Sequence, residues 1–415
     1  MHVIVVGAGV VGMTTAWFLH RAGHRVTVID AASGPGLGTS RANGAQLSYS
    51  YVAPLAAPEV LPALPKYLFD RNSPMRFRPA LDPEQWRWGL EFLLACTAGR
   101  AAATTRALLA LAFHSRAQVH EAVAEGGLDF AYSRTGKLVV YSDDAGLEGA
   151  KRQMEFQRTL GCEQEVLDRA GCLAIEPAVE QFGPRIVGGI YTPSEEAGDC
   201  HLFCIALEGK LKAGNNPAEF RYGLPAERLV RDGSRIRGVA TRDGMIEGDA
   251  VVLAAGMGAR RLAAGLGIRL PIYPLKGYSL SLQVTDPAKV PQVSVTDSDR
   301  KIVYARLGNM LRAAGVADLV GEDLTLDPAR LGQVERETRE AFGAGVDFSD
   351  PQPWCGLRPA TPTGLPILGR TRYDNLLLNC GHGALGFTLS MGAAQLVADL
   401  LDNRPTAIPL DPYSL

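Results

Sequence analysis

The chain has little net charge of either sign. Across its 415 residues, 42 basic and 44 acidic side chains leave a formal charge of −2. A nucleic-acid binder needs a cationic surplus to displace counterions from phosphates, so that class is excluded. A cysteine framework is also missing. Cys96, Cys162, Cys172, Cys200, Cys204, Cys355 and Cys380 are odd in number and contain no C-x-x-C. Free thiols in a reducing, cytoplasmic compartment follow. Cys200 and Cys204 stand one helical turn apart, but no His/Cys pair accompanies them, so no metal is expected. No run of about 20 apolar residues is evident, and no membrane-spanning helix is expected. A strand starts almost at Met1, which leaves no space for a signal peptide.

The residue in excess is glycine, with 46 copies. Glycine either loosens a backbone or lets it approach something closely. The composition is otherwise that of a chain with a large core, 47% hydrophobic and 21% charged. Its length suits two or three domain-sized units.

His2-Val3-Ile4-Val5-Val6 is a short apolar run, the signature of a strand buried on both faces. Gly7-x-Gly9-x-x-Gly12 follows, and Met13 to Arg21 reads as a helix ended by Gly23. Arg25 to Asp30 is a second strand, completing a β-α-β unit. The three glycines serve a tight turn, close approach of a pyrophosphate, and helix–strand packing. The helix start offers free N–H groups and the positive end of a dipole. Asp30 lies 18 residues beyond Gly12, where a carboxylate can accept from ribose hydroxyls. An adenine dinucleotide is the expected ligand.

Further along, 55 to 125 reads as helical, and Lys137 to Tyr141, Ile186 to Tyr191 and Ala250 to Gly256 as strands. Segments 272 to 284, 301 to 305 and 309 to 315 suggest an antiparallel sheet, and Leu326 to Phe342 an amphipathic helix. The chain closes on a buried strand, Leu376 to Asn379. A second glycine-rich turn, Gly381-His382-Gly383-Ala384-Leu385-Gly386, then opens a helix. The predicted fold class is α/β, α+β overall: a Rossmann-type FAD-binding domain interleaved with an antiparallel-sheet substrate domain carrying helices. Residues 1–55, 195–270 and 355–415 are assigned to the first, and 56–194 and 271–354 to the second. Two glycine-rich helix starts fit FAD better than a nicotinamide. One takes the pyrophosphate, and the other the flavin edge that becomes negative on reduction.

Several stretches resemble the D-amino acid oxidase/dehydrogenase superfamily of FAD enzymes. They are Thr39 to Gln46, Ala53 to Pro58, Gly198-Asp199-Cys200 and Tyr273-Pro274-Leu275-Lys276-Gly277-Tyr278-Ser279-Leu280. Gly356-Leu357-Arg358-Pro359, Thr361-Pro362-Thr363-Gly364 and Leu378 to Thr388 complete the set. They span essentially the whole chain. Thr363 departs from the aspartate common in that turn.

The resemblance implies non-covalent FAD and oxidation of a D-amino acid to the imino acid by hydride transfer from Cα to flavin N5. Water then gives the 2-oxo acid and ammonia, and electrons pass to a quinone or other respiratory carrier. Alternatives are a secondary-amine or imino-acid oxidoreductase (glycine, sarcosine, D-proline or hydroxyproline), or a flavin subunit needing a partner subunit. The implied cofactor residues are Gly7, Gly9, Val10, Val11, Gly12, Asp30, Ala31, Ser40, Arg41, Asn43, Gly44, Gln46, Ala226, Ala255 and Gly256. Arg358, Gly381, His382, Gly383, Leu385, Gly386 and Thr388 join them.

On the substrate side, Arg358 is implied to hold the carboxylate, which a planar guanidinium meets with two parallel hydrogen bonds. Tyr278, Tyr304, Tyr51, Gln46 and Arg312 are the other expected substrate contacts. Related enzymes carry their tyrosine where this chain has Ile302, and Tyr304, two residues along a strand, keeps the same face. A quinone-linked enzyme must meet a membrane. Lys66-Tyr67-Leu68-Phe69 to Arg76-Phe77-Arg78, Trp86-Arg87-Trp88 and Phe92-Leu93-Leu94 have the mixture of basic and aromatic residues of an interfacial patch. The expected location is cytoplasmic, with peripheral contact at the inner face of the cell membrane.

Overall fold

Strict alternation of two buried faces organises the amino-terminal strand. In the computed structural model, which describes residues 1–52, 54–62, 64 and 73–415, Val3 and Val5 enter one apolar core. Ile4 and Val6 enter another on the opposite side. The strand His2–Val6 sits near the middle of a six-stranded sheet. The order is Ile367–Arg370, Leu376–Cys380, Ala250–Leu253, His2–Val6, Arg25–Ile29, Glu219–Arg221. All neighbours are parallel except the first pair. Four helices, Val10–Arg21, Ala98–Ala124, Cys200–Lys212 and Gly386–Leu401, build the core on one face. The other face is covered by helix Gly258–Ala264 and a three-stranded antiparallel meander, Arg228–Asp232, Arg235–Thr241 and Gly244–Glu247.

The second sheet has nine strands. Its centre runs Val346–Ala360, Tyr273–Val284, Met310–Leu319, Ile302–Leu307, Ser294–Asp297, Lys137–Tyr141. It is mostly antiparallel, with parallel pairs at Ser294–Asp297 with Lys137–Tyr141 and at Met310–Leu319 with Met75–Phe77. Helix Pro328–Phe342 covers one face through Val334, Ala341 and Phe342.

Three details depart from the expectations. The helix Ala98–Ala124, placed within 56–194, packs under the parallel sheet, because Leu108, Leu111, Ala112 and Val119 all turn into that core. The strand Val346–Ala360 crosses the expected boundary at 354/355, so Arg358 belongs to the second sheet. Gly383–Leu401, 19 residues, is apolar and long enough by composition to cross a bilayer, where no such segment was expected. Its apolar character is spent inside the fold: Leu389, Met391, Leu396 and Val397 are buried between Val10–Arg21 and Ala98–Ala124.

Candidate functional site

The first glycine turn is held by contacts that admit no side chain. Gly7 has φ +112°, and a Cβ on Gly12 would lie 1.8 Å from the Gly7 carbonyl oxygen. Helix Val10–Arg21 therefore starts directly against the end of the strand. Its N-cap, Gly9, contributes no side-chain cap. The N–H of Val10 donates to Ser40 Oγ at 3.0 Å. Asp30 ends the second strand and clamps the turn, accepting from the N–H of Ala8 at 2.6 Å and of Ala32 at 2.7 Å. Each carboxylate oxygen keeps a further lone pair for a ribose hydroxyl.

Around this turn, Val11 is half-buried and its carbonyl accepts from Thr15 Oγ1. Ala31 and Arg41 are exposed. Ala226 is buried and its carbonyl accepts from Arg261 at 3.2 Å. The carbonyl of Ala255 accepts from Gly258, and Gly256 takes φ +53° beside it. These residues cluster at the carboxyl ends of parallel strands, where open α/β sheets bind ligands.

The second helix start is likewise uncapped by side chains at His382 and Leu385. Gly381 and Gly383 flank His382, which bridges to Ala360. His382 is 2% exposed, burial pushes its pKa down to about 3, and its Nε2 has no partner among the described residues. The imidazole is neutral and is not a base at physiological pH. Gly386 opens the final helix, and Thr388 Oγ1 accepts from the N–H of Ser48 at 3.1 Å.

The loop 39–47 bridges these turns to the second sheet. Thr39 Oγ1 donates to the Leu357 carbonyl at 2.7 Å, and Ser279 Oγ to the Ala42 carbonyl at 2.7 Å. Asn43 Oδ1 accepts from Ala45, and a Cβ on Gly44 would meet Val303 at 3.1 Å. Register then sorts the expected substrate residues by face. Gly277, Ser279, Ser281, Arg312 and Arg358 share the face under this loop.

Arg358 carries the decisive feature. Its only hydrogen bond among the described residues runs to the Val316 carbonyl at 3.5 Å, and no carboxylate pairs with it. Burial lowers its pKa, yet a guanidinium stays charged. Arg312, in contrast, already has an acid: it donates to Ser281 Oγ at 3.0 Å and pairs with Asp199 at 3.1 Å, while its buried Nη1 has no partner among the described residues. Tyr278 and Tyr304 lie on the opposite face. Tyr278 donates to Asp318 at 3.1 Å, and Tyr304 stacks edge-on against Phe342 with its hydroxyl on the Glu337 carbonyl. They are core residues beneath helix Pro328–Phe342. The two-residue step from Ile302 does keep one face, but that face is turned away from Arg358. Tyr51 is 37% exposed and Gln46 half-buried, and both rest on Lys137.

Residues 2–400 match the sequence profile of the family described as FAD dependent oxidoreductase. The chain belongs to this family of FAD dependent oxidoreductases. It is 50% identical to D-amino acid dehydrogenase 2 of Ralstonia nicotianae over 100% of both chains. To D-amino acid dehydrogenase of Paramagnetospirillum magneticum it is 45% identical over 99% of this chain and 97% of that one. Among solved structures, glycine oxidase from Geobacillus kaustophilus superposes with a TM-score of 0.79 at 23% identity, over 100% of this chain and 97% of that one.

The residues of this FAD dependent oxidoreductase fit its cofactor. Gly7 and Gly12 have no space for a side chain, and both helix starts leave N–H donors without side-chain caps. Sequence reasoning missed the residues that brace the loop: Thr39, Gly277, Ser279, Lys137 and Glu195. Thr39, Gly277 and Ser279 lay inside the resembling stretches, and their contacts would have singled them out. A lysine opening an apolar strand gives no signal, because lysines at strand ends ordinarily reach water.

Proposed function

We propose that the chain oxidises D-amino acids to imino acids, which water converts to 2-oxo acids and ammonia. The carrying observation is Arg358, a half-buried guanidinium that meets no anion among the described residues, on the sheet face beneath the loop that joins both helix starts. A substrate carboxylate supplies the missing counter-charge and two hydrogen bonds. Bound FAD supplies the two-electron acceptor chemistry, taking the hydride from Cα. Gly7 to Gly12, Ser40 and Asp30 hold its dinucleotide end, and the Gly381–Gly386 start holds its flavin. His382, kept neutral by burial, supports that start as an uncharged imidazole. The FAD is non-covalent: Cys355 pairs with Tyr278 on the sheet face turned away from Arg358, and its thiol donates to the Leu324 carbonyl. The names of the two curated relatives support the substrate class. A panel of D-amino acids with glycine, sarcosine and D-proline, run with a dye acceptor, tests the reading. We expect 2-oxo acid and ammonia from D-amino acids, and turnover confined to the secondary amines or glycine would sink it.

Electrons pass to a quinone at the inner face of the cell membrane. Trp86, Leu90, Leu93 and Leu94, between 43% and 59% exposed, form one stripe along helix Pro83–Ala95. Trp88 and Phe92, expected in the same patch, turn inward and stack at 5.4 Å. Lys66 to Phe69 lie outside the described residues. The stripe seats on the lipid surface through its apolar side chains, with Arg87 beside it. Trp86→Ser/Leu90→Ser/Leu94→Ser should abolish flotation with anionic phospholipid vesicles and keep dye-linked turnover. Wild-type protein that never floats would remove the membrane contact.

A further inference from the structure

Lys137 is 2% exposed and the mechanism above does not use it. Its ammonium donates to Gln46 Oε1 at 2.8 Å and Ser48 Oγ at 3.1 Å, and stands 3.9 Å from the centroid of the Tyr51 ring. Glu195, 1% exposed, accepts from the N–H of Ser50 at 2.7 Å. Burial disfavours both charges, pulling Lys137 down and Glu195 up, and each charge opposes the shift of the other. Next to it, Glu196 accepts from Tyr49, His120 and Arg134, so that carboxylate is already engaged.

The consequence falls on Gln46. A carboxamide has two orientations that exchange donor and acceptor. An ammonium can only donate, so it tolerates only Oε1 on its side. The –NH2 is thereby aimed away from Lys137. Gln46 Nε2 is buried and has no partner among the described residues, a costly state for a donor. The residue lies in the loop 39–47, two positions before Ser48, whose N–H reaches Thr388 at the second helix start.

We propose that Lys137 is a positioning residue that locks the Gln46 carboxamide with its –NH2 presented to a hydrogen-bond acceptor on the bound flavin or substrate. The proposal rests on the reading of the function given above.

The test compares Lys137→Met, Gln46→Ala and the double variant as holoenzymes. Because Lys137→Met also removes the positive charge whose field acts on Glu195, Lys137→Met/Glu195→Gln carries the same test with both positions neutral. KM for D-alanine with a dye acceptor, the flavin absorbance spectrum and FAD content are measured. Loss of one oriented hydrogen bond should raise KM about tenfold, or shift the flavin bands or FAD content. A raised KM with an unchanged spectrum assigns the acceptor to the substrate, and a spectral or FAD change assigns it to the flavin. In either case Lys137→Met should add nothing to Gln46→Ala, since both act through one carboxamide. Wild-type values in all three readouts, or additive losses, overturn the proposal. If wild-type protein turns over no D-amino acid, the reading of the function falls. The spectrum and FAD content then decide the role of Lys137.

Discussion

Arg358→Ala should raise KM for D-amino acids about 100- to 1000-fold while the flavin spectrum stays that of the parent. The guanidinium lies on the loop-facing side of the sheet with no acid beside it among the described residues. A carboxylate bound there forms a charge-assisted, desolvated pair, and truncating one member of such a pair costs roughly 3–4 kcal/mol. Each 1.4 kcal/mol or so is tenfold, which sets the range. Arg358→Lys should recover only part of the loss, because an ammonium cannot form the two parallel bonds. Without ligand, the alanine variant should be at least as heat-stable as the parent, since it removes a half-buried charge that meets no acid among the described residues. Gly277→Ala approaches the same end from below. A Cβ there would stand 2.3 Å from Arg358 Nη2 and force the guanidinium aside, so KM should rise with no charge removed. An Arg358→Ala protein with KM within twofold of the parent would falsify the carboxylate role.

Gly12→Ala should yield a colourless or nearly colourless protein. Its Cβ would fall 1.8 Å from the Gly7 carbonyl oxygen, a backbone atom fixed by the turn and not a side chain that can swing away. The helix must then lift from the strand end by more than an ångström. Its N–H groups leave the place where they meet the pyrophosphate, and Val10 loses its grip on Ser40. Overpacking of this kind costs about 1–3 kcal/mol in stability. Binding of FAD suffers more, because the dinucleotide depends on donors held in one geometry. FAD content should fall at least tenfold, measured from absorbance against protein concentration, with a lower melting temperature. A fully yellow Gly12→Ala protein would show that the turn is not the pyrophosphate site.

The turn from Gly7 to Gly12 was legible in the sequence because its hydrogen bonds to Asp30 and Ser40 join residues within 30 positions of one another, even though Gly7 also packs against distant Ala254. The family was legible too, through short stretches whose backbone must pass close to a cofactor. The tyrosines were not. Whether Tyr278 and Tyr304 face Arg358 depends on the register of three strands and on the bulge at Val316, which takes φ +47°. A period of two places them on a common face but does not say which face. Arg312 illustrates the same limit: its acid, Asp199, is 113 positions away, and only folding brings the two together.

By itself, then, the sequence determined the dinucleotide turn, the interleaving of two kinds of sheet and the membership in a flavin family. These rest on local backbone geometry and hydrophobic period. Tertiary structure alone decided that Arg358 meets no acid among the described residues, that the tyrosines belong to the core, and that Lys137 is buried against Gln46 rather than in water. Those outcomes depend on what lies opposite a side chain across the sheet. That is set by the register of strand pairings such as Leu275 with Arg358, Tyr278 with Gly315 and Ser294 with Lys137, which no local pattern encodes.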